Sequence, residues 1–352
     1  MSQATFSHKS ICVLRLSSIG DITHMIPIIK SIQSYTPQTD ITWIIGKTEY
    51  SLVKNISNVH FIVIDKKDFL STFSTLIYLY KNFRFDTLLN MQVSLRANII
   101  SLFIKAKIKI GFDKHNSKNL HGFFIDTRIN NSVRKHVRET FFGFLSKIGI
   151  EKRSNNTDIN IKYKIDERLI KKKYIVFNPF TSSRNFNYRE WDINNYKVIA
   201  NYISKNYDIN SVMVGGNTEY EIAQSRKLES ENTIINLVGK TDLQELYNIL
   251  RGCELYIGPD SGTLHIASIL NRPVIGLYAT SNPDRTGPID NMENIINKYP
   301  LALQKYYQMK IEEAKWGKRI RDPSAMKLIN IDEVVIKINK ILKAQDLIDD
   351  RG

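Results

Sequence analysis

Residues 256–288, YIGPDSGTLHIASILNRPVIGLYATSNPDRTGP, predict a strand, a polar turn, a helix, a second strand and a second polar turn. Asp260 and Ser261 are both favoured at the N-terminus of a helix, and Gly262 lets a ligand approach the backbone closely. A helix over residues 263–270 would direct unpaired N–H groups and the positive end of its dipole towards the carboxyl edge of a sheet. The sequence therefore predicts an anion site here, of a kind that suits pyrophosphate.

The second strand of this stretch, Val274–Tyr278, leads into a polar turn over residues 279–287, which would wall the other side of the same crevice. The first strand, Glu254–Ile257, is expected to stop at Pro259. The same alternation of strands and helices fills the rest of the second half. Its further strands are predicted at 174–178, 211–214 and 234–237, and its further helices at 194–205, 219–229, 243–250 and 331–342.

The first half begins with a nearly continuous apolar run from Lys9 to Leu16, which is typical of a parallel strand covered on both faces. Further strands are predicted at 41–45, 59–64, 87–90 and 107–111, and helices from about 21 to 35, around Ser51, and at 70–82, 95–104 and 133–148. This alternation predicts an α/β chain with a doubly wound, Rossmann-like sheet in each half. A polar and charged stretch places a linker between domains at residues 1–168 and 172–352.

The 352 residues carry a formal net charge of +15 and only two cysteines, Cys12 and Cys253. Both cysteines fall in or beside predicted strands, so we expect them to be small core residues. No run of about 18 apolar residues predicts a membrane-spanning helix, and the polar residues 1–10 lack the apolar centre of a signal peptide. The sequence therefore predicts a cytoplasmic protein.

The positive charge indicates a polyanionic neighbour, such as nucleic acid, an anionic membrane surface or a phosphorylated glycolipid at that surface. Compositional bias towards lysine would produce the same net charge, and both interpretations stay open. One segment, residues 105–138, concentrates basic side chains. These are Lys105, Lys107, Lys109, Lys114, Lys118, Arg128, Arg134, Lys135 and Arg138, with His115, His121 and His136.

Two absent motifs argue against a dinucleotide cofactor and a bound divalent cation. No two glycines are spaced as Gly-x-Gly, which excludes the dinucleotide fingerprint Gly-x-Gly-x-x-Gly. No Asp-x-Asp pair is present to hold a divalent cation on a pyrophosphate group. We therefore expect neither a cofactor nor a metal, with a helix dipole and basic side chains neutralising the pyrophosphate instead.

Near the N-terminus, residues 14–27, LRLSSIGDITHMIP, place Asp21 after a glycine at the carboxyl end of the first strand. A loop in that position would expose the carboxylate in a cleft, as general-base chemistry requires. Capping of the following helix is the other role that suits this residue. The local sequence leaves both roles open.

These motifs resemble the signature of the bacterial heptosyltransferases of lipopolysaccharide core synthesis, glycosyltransferase family 9. The family has Ser-Ser-x-Gly-Asp after its first strand. Its second half has Asp-(Ser/Thr)-Gly-x-x-His, a small-residue helix, Pro-Val and a turn that ends in Thr-Gly-Pro. Weaker matches follow the family order at residues 90–96, 135–139, 178–181, 191 and 323–329. The resemblance covers nearly the whole chain and implies a GT-B fold, in which two Rossmann-like domains face a central cleft.

The resemblance implies an inverting, metal-independent transferase that acts at the cytoplasmic face of the inner membrane. Its donor would be ADP-L-glycero-β-D-manno-heptose, and its acceptor an anionic glycolipid, a Kdo or inner-core lipopolysaccharide. The donor-binding residues would be Thr181, Arg189, Glu219, Asp260, Ser261, Gly262, Thr263 and His265. Outside this motif, His265 would more often be a packed structural histidine, and Glu219 an acid that complements a helix dipole. The family usually has lysine in place of Arg189, which leaves Arg184 as a rival contact for the pyrophosphate.

By the same resemblance, the first domain binds the acceptor and Asp21 is the general base that takes a proton from the acceptor hydroxyl. Partial burial is expected to hold the pKa of Asp21 near or above that of a free aspartate. The acceptor-binding residues would be Ser18, Gly20, Gln92, Arg96, His136 and Arg138. The basic segment 105–138 is expected to border the acceptor and attract its phosphates and carboxylates.

Three alternatives remain beside this interpretation. A family member that moves another nucleotide-activated sugar onto a surface glycan would carry the same motifs. A catalytically silent protein that binds nucleotide sugars or glycans would not need both Asp21 and the Asp260 motif, and both are present. Nucleic-acid binding rests on charge alone and would appear as salt-sensitive affinity, so we expect no nucleic-acid partner.

Overall fold

The computed structural model divides into two compact units, Met1–Ile161 and Lys162–Gly352. The predicted linker lies just after this division. The structure describes residues 8–130, 132–164, 166–169, 172–182, 187–228 and 233–349, with the backbone alone for 345–349. Within these ranges every helix is too short or too polar to span a bilayer.

The first unit is built on one parallel sheet. Its strands are β1 (Ser10–Leu14), β2 (Asp40–Gly46), β3 (His60–Ile64), β4 (Phe85–Asn90), β5 (Ala106–Gly111) and β6 (Thr127–Arg128), and its helices are α1 (Ile19–Tyr35), α2 (Lys47–Val53), α3 (Phe69–Asn82), α4 (Leu95–Leu102) and α5 (Val137–Lys147). The strand order is β3-β2-β1-β4-β5-β6. Because the order reverses between β1 and β4, the carboxyl ends of these two strands flank the crevice where doubly wound sheets bind ligands.

Helices cover both faces of this sheet. The reversal and the right-handed crossover rule place α1 and α2 on one face and α3 and α4 on the other. On the second face, Leu76 of α3 and Ile100 of α4 pack into one core with strand residues such as Leu14 and Leu88. The apolar run predicted for the first strand is therefore explained, since every residue of β1 after Ser10 is buried.

The second unit repeats the architecture. Its strands are β7 (Tyr174–Phe177), β8 (Asn210–Met213), β9 (Ile234–Asn236), β10 (Leu255–Pro259), β11 (Val274–Tyr278) and β12 (Ile296–Asn297), and its helices are α6 (Ile193–Asn206), α7 (Glu219–Arg226), α8 (Leu243–Gly252), α9 (Gly262–Ile269), α10 (Pro283–Thr286), α11 (Tyr299–Tyr307) and α12 (Ile331–Asp349). The order β12-β11-β10-β7-β8-β9 reverses between β10 and β7. The predicted α/β fold, with one doubly wound sheet in each half, is confirmed.

The predicted end of the strand before Asp260 is wrong, and several short elements were not predicted. β10 runs through Pro259, because β7 pairs with β10 only as far as Ile257 and the last residues extend along β11 alone, with Pro259 opposite Leu277. The missing N–H of proline therefore removes no ladder bond to β7. The short elements β6, β12 and α10 were not predicted, because two to four residues carry no periodic pattern. The helix α11 was also not predicted.

We predict opposite stability changes for two glycine-to-alanine substitutions. A Cβ on Gly258 of β10 would lie 2.5 Å from the Tyr256 hydroxyl and 2.7 Å from the Asn178 carbonyl oxygen, so Gly258→Ala should destabilise by about 1 to 3 kcal/mol. A Cβ on Gly143 of α5 would meet nothing closer than 3.6 Å, so Gly143→Ala should stabilise by up to about 1 kcal/mol. Urea unfolding measures both changes, and a shift of the same sign in the two variants would contradict the packing argument.

Candidate functional site

In the first unit, the motif after β1 meets the motif after β4. The Gln92 Oε1 atom accepts hydrogen bonds from the backbone N–H of Leu16 at 2.6 Å and of Ser17 at 3.3 Å. The side-chain amide of Gln92 also donates to the Ser94 hydroxyl at 3.2 Å. Gln92, predicted to contact the acceptor, therefore shapes the loop that leads into α1.

Asp21 lies in the first turn of α1, where three donors hold its Oδ2 atom. Arg15 Nη2 lies at 2.5 Å, and the backbone N–H and hydroxyl of Ser18 each donate at 3.1 Å. The contact with the Ser18 N–H is half of a capping box, so the structure bears out the capping role that the sequence left open. The Asp21 side chain nevertheless stays 29% exposed, which keeps the carboxylate accessible.

Arg15 is the residue of this site that sequence reasoning missed. Its Nη1 atom donates to the Met91 carbonyl oxygen at 2.5 Å, and its guanidinium carbon lies 5.1 Å from the centroid of the Phe141 ring. The side chain is only 11% exposed. A charged residue directly after a buried apolar strand was the available signal, because a buried charge needs a partner.

Burial alone would raise the pKa of Asp21, but the Arg15 charge and the hydrogen bonds from Ser18 and Arg15 outweigh it and hold the pKa below its ordinary value. The expectation of a pKa near or above that of free aspartate is therefore wrong. That expectation considered desolvation and omitted the arginine. Asp21 is consequently ionised throughout the neutral range.

Two further predicted acceptor residues lie against α1. His136 is the N-cap of α5, with its Nδ1 accepting from the backbone N–H of Arg138 at 3.1 Å, so α5 begins at Val137 and not at the predicted Val133. The His136 ring packs edge to face on the His24 ring of α1, with centroids 5.3 Å apart. His136 is thus fixed beside the helix that carries Asp21, and Arg138 follows it in the first turn of α5.

The remaining predicted acceptor residues lie at helix starts. Ser18 and Gly20 flank the beginning of α1, and the Gly20 carbonyl oxygen accepts from the Thr23 hydroxyl at 2.7 Å. Arg96 is exposed in the first turn of α4, directly after the Ser94 cap. All six candidates therefore lie at the carboxyl edge around β1 and β4 or against α1.

The basic segment 105–138 is not one charged surface. Lys109 Nζ donates to the Ser101 carbonyl oxygen at 2.7 Å, and Arg128 donates to the Phe112 carbonyl oxygen at 3.0 Å. His121 is buried, and burial together with Arg128 lowers its pKa to about 4, so it is a neutral structural residue. For these three side chains the prediction of an acceptor-facing cluster is wrong, because they bond within the unit.

In the second unit, the helix start predicted from residues 256–288 is present. Ser261 is the N-cap of α9, and its hydroxyl accepts from the Leu264 N–H at 3.4 Å. The Thr263 hydroxyl accepts a bond of 2.7 Å from the side-chain amide of Asn178, which follows β7. The first N–H groups of a helix have no acceptor within it, so α9 presents donors at the reversal between β7 and β10.

Asp260 is the most buried carboxylate of this site, with its side chain 8% exposed. Its Oδ2 accepts from the Ser281 hydroxyl at 2.8 Å and lies 3.3 Å from Arg189 Nη1, while its Oδ1 lies 3.5 Å from His265 Nε2. Burial would raise the pKa of Asp260, but His265 and Arg189 outweigh it and hold the pKa far below the usual range. Asp260 is therefore a permanent anion that fixes two candidate donor residues.

Arg189 uses all three of its nitrogens within the chain. Its Nε donates to Asn187 at 2.6 Å, its Nη1 to the Asp260 carbonyl oxygen at 2.6 Å and its Nη2 to the Ser182 hydroxyl at 3.3 Å. This is the planar fork that lysine lacks. Its rival, Arg184, lies outside the described residues.

Glu190 was also missed by sequence reasoning. Its Oε1 accepts from the Thr181 N–H at 2.9 Å and its Oε2 from the Tyr220 hydroxyl at 3.0 Å. It thereby ties the loop that carries Thr181 to α7, whose first residue is the exposed Glu219. No local pattern signals this role, because its partners are nine and thirty residues away.

Among the residues that the structure describes, no three histidine, cysteine, aspartate or glutamate side chains lie close enough together to hold a metal ion. Asp21 and Asp260 are each paired with an arginine.

The profile of glycosyltransferase family 9 (heptosyltransferase) matches residues 78–316. The chain is 35% identical to the lipopolysaccharide core heptosyltransferase OpsX of Haemophilus influenzae, over 96% of this chain and 98% of that protein. It is 24% identical to lipopolysaccharide heptosyltransferase 1 of Campylobacter coli, over 82% and 89% of the two chains. Its fold is similar to that of the E. coli heptosyltransferase WaaC with ADP, with a TM-score of 0.73, 16% identity and coverage of 94% and 99%.

We predict that Asp21→Asn destabilises the protein near pH 7 and that this difference shrinks as the pH falls below about 4. The folded pKa of Asp21 lies below its unfolded value, so the ion pair with Arg15 stabilises the fold above the unfolded pKa and loses this effect as the pH falls through the folded pKa. Urea unfolding at about pH 7, 4 and 3, values that span the unfolded pKa of aspartate, measures the difference. Asp40→Asn, at an exposed residue of β2, is the control, and a difference for Asp21→Asn that is constant over this range would contradict the prediction.

Proposed function

The chain belongs to glycosyltransferase family 9, the heptosyltransferases, and from that premise we propose that it transfers heptose from ADP-L-glycero-β-D-manno-heptose to a Kdo or inner-core sugar of a lipopolysaccharide acceptor. The observation that carries the proposal is the 35% identity to a lipopolysaccharide core heptosyltransferase along nearly the full length of both chains. The residues for the reaction come from the loop after β1 in the first unit and from the start of α9 in the second.

We propose that the donor pyrophosphate binds at the start of α9. The N–H groups of Gly262 and Thr263 and the hydroxyl of Ser261 are the donors, and the helix dipole adds positive potential. His265 contributes from the next turn, and Glu219 binds the ribose diol. Asp260 does not repel the pyrophosphate, because its charge is matched by Arg189 and its lone pairs are occupied by Ser281 and His265.

The same arrangement supports a reaction without a metal. Charge that develops on the leaving ADP is stabilised by fixed dipoles and cations that need no reorganisation. Thr181 and Arg189 border this site through the loop that Glu190 holds.

We propose that Asp21 is the general base of a single displacement. The acceptor hydroxyl oxygen forms a bond to the anomeric carbon, the bond from that carbon to the pyrophosphate breaks, ADP leaves, and the hydroxyl proton passes to Asp21. One displacement inverts the anomeric centre. The low pKa of Asp21 keeps it ionised and suits late proton transfer, because the hydroxyl becomes strongly acidic only as its oxygen bonds to carbon.

The acceptor is an anionic glycolipid, so the enzyme works at a bilayer, which we propose to be the cytoplasmic face of the inner membrane. Arg96, His136 and Arg138 are the candidates for its phosphates and carboxylates, with Ser18, Gly20 and Gln92 closer to the reacting hydroxyl. Their places around β1, β4 and α1 support a common acceptor site.

The proposal is tested by incubating the purified protein with a Kdo-bearing lipid A acceptor and ADP-heptose, or with UDP- and GDP-sugars in its place. We expect an acceptor mass increase of one heptose with ADP-heptose alone, and undiminished turnover in EDTA. Transfer of a different sugar would replace the heptose assignment, and a strict need for added Mg²⁺ or Mn²⁺ would overturn the metal-free mechanism. Absence of transfer with stoichiometric sugar-nucleotide binding would favour a silent binding protein.

We predict that Asp21→Asn lowers kcat by about 10² to 10⁴-fold while leaving the Kd for ADP-heptose nearly unchanged, because only proton abstraction is lost. Calorimetric titration of the donor and steady-state turnover measure the two effects. Asp40→Asn serves as the matched control, since it changes an exposed aspartate of the same unit. Retention of more than about a tenth of the wild-type rate, with chemistry rate-limiting, would remove Asp21 from the base role.

A further inference from the structure

The outer side of α3 and α4 carries a concentration of exposed apolar side chains. Eleven of the eighteen large apolar residues exposed in the described ranges lie within residues 69–123. Three of them, Phe69, Leu70 and Phe123, are 79%, 78% and 84% exposed. We name the eleven residues the α3–α4 face: Phe69, Leu70, Phe73, Ile77, Tyr78, Tyr80, Leu95, Ile99, Leu102, Leu120 and Phe123.

Helical spacing gathers the members on α3. Its exposed stripe consists of Phe69, Phe73, Ile77 and Tyr80, which follow one another by four, four and three positions. The rings of Phe69 and Phe73 stack with centroids 6.3 Å apart. The side of α3 that faces the sheet is formed by Leu76 and Leu79, so the stripe is additional to the core face of the helix.

Helix α4 carries a second exposed apolar stripe on the same side of the sheet as α3. Leu95, Ile99 and Leu102 lie opposite Ala97 and Ile100, which pack in the core that also holds Leu76. The helix is therefore apolar on its outer side as well as its inner side, where a polar outer side is usual for a surface helix.

The turn at His121–Phe124 extends the face. The Asn98 side chain of α4 donates to the Asn119 carbonyl oxygen at 2.9 Å, and its Oδ1 lies 2.8 Å from His121 Nδ1. These bonds fix Leu120 and Phe123 beside α4.

The side chains around the α3–α4 face carry mostly positive charge, which indicates an anionic partner. Residues 69–123 contain eight lysines and arginines and two aspartates. Asp86 is paired with Lys107 at 2.7 Å, and Asp113 is buried and accepts from the Ser132 hydroxyl and the Asn116 amide. The other cations outside the core are Lys81, Arg84, Arg96, Lys105, Lys114 and Lys118.

Cations and apolar rings are interleaved here, since Lys105 Nζ lies 3.6 Å from the centroid of the Tyr80 ring. A second copy docked on this face about a two-fold axis would bring like charges together. An anionic bilayer offers both an apolar layer for the rings and phosphates for the lysines.

We propose that the α3–α4 face adsorbs to bilayers that contain anionic phospholipid. Its aromatic and aliphatic side chains enter the boundary between headgroups and acyl chains, and the surrounding lysines and arginines contact lipid phosphates. This proposal depends on the proposed function only for the statement that the acceptor lies in such a bilayer.

The test is cosedimentation of the full chain with vesicles that contain no saccharide. One set of vesicles is phosphatidylcholine alone, and the other contains about 30% phosphatidylglycerol, which gives a negative surface potential. The face variant is Phe69→Gln, Leu70→Gln and Phe73→Gln in α3. The matched control is Val198→Gln, Leu301→Gln and Ile336→Gln, three exposed apolar residues on helices α6, α11 and α12 of the other unit.

We expect the wild type and the control variant to bind the anionic vesicles in a salt-sensitive way, and the face variant to bind them at least about tenfold more weakly. The face variant should keep wild-type turnover on a deacylated, water-soluble acceptor and lose turnover on the same saccharide embedded in vesicles. The vesicle-binding assay contains neither donor nor acceptor. Its result therefore tests the membrane proposal even if the protein proves not to transfer heptose.

Four outcomes would overturn the proposal. The first is equal vesicle binding by the wild type and the face variant, and the second is an equal loss in the control variant. The third is a wild-type dimer that the face variant converts to a monomer without loss of vesicle binding, which would make the face a subunit contact. Salt-sensitive binding of RNA lost in the face variant, without vesicle binding, would count against it in the same way.

Discussion

A carboxylate held by an arginine stands at the reversal of strand order in each unit, and the surrounding loops depend on that pair. Asp21 is held by Arg15 after β1, and Asp260 by Arg189 after β10. Removing charges from water is costly by several kcal/mol per ion, and the loss of one partner typically costs about 3 to 5 kcal/mol, so each pair needs further donors. Ser18 supplies them to Asp21, and Ser281 and His265 surround Asp260. Ser18 and Ser281 therefore help to stabilise the charge of the two carboxylates.

The two pairs differ in accessibility, and this difference separates their roles. Asp21 keeps 29% of its side-chain surface exposed, whereas Asp260 keeps 8%. Arginine lowers the pKa of both carboxylates. Only the exposed one is reachable by a substrate hydroxyl, while the buried one orients Arg189 and His265. On the proposed mechanism, the same chemical pair would support proton transfer in the first unit and preorganised donor binding in the second.

Sequence reasoning recovered what is local or periodic and missed what depends on distant partners. The continuous apolar strands, the Ser261 cap and the alternation that defines both sheets are visible in short windows. The roles of Arg15 and Glu190 are not, because Arg15 acts through Met91 and Phe141, and Glu190 through Tyr220. The basic segment failed as a single cluster for the same reason: charge along the sequence does not tell which cations turn inward, as Lys109 and Arg128 do.

The exposed side of α3 carries apolar residues that the packing of the core does not explain. The apolar residues of α3 occupy a wider arc than one buried stripe needs, and its buried residues are Leu76 and Leu79. An arc of that width on a surface helix exposes apolar area to water, which is unfavourable at about 25 cal/mol per Å² unless another apolar phase covers it. For an enzyme whose acceptor is a lipid, a face of this kind brings the sugar site to the bilayer by shallow insertion of side chains together with lipid phosphate contacts. Both contributions are modest and reversible, so binding through this face would let the enzyme leave one acceptor and reach the next.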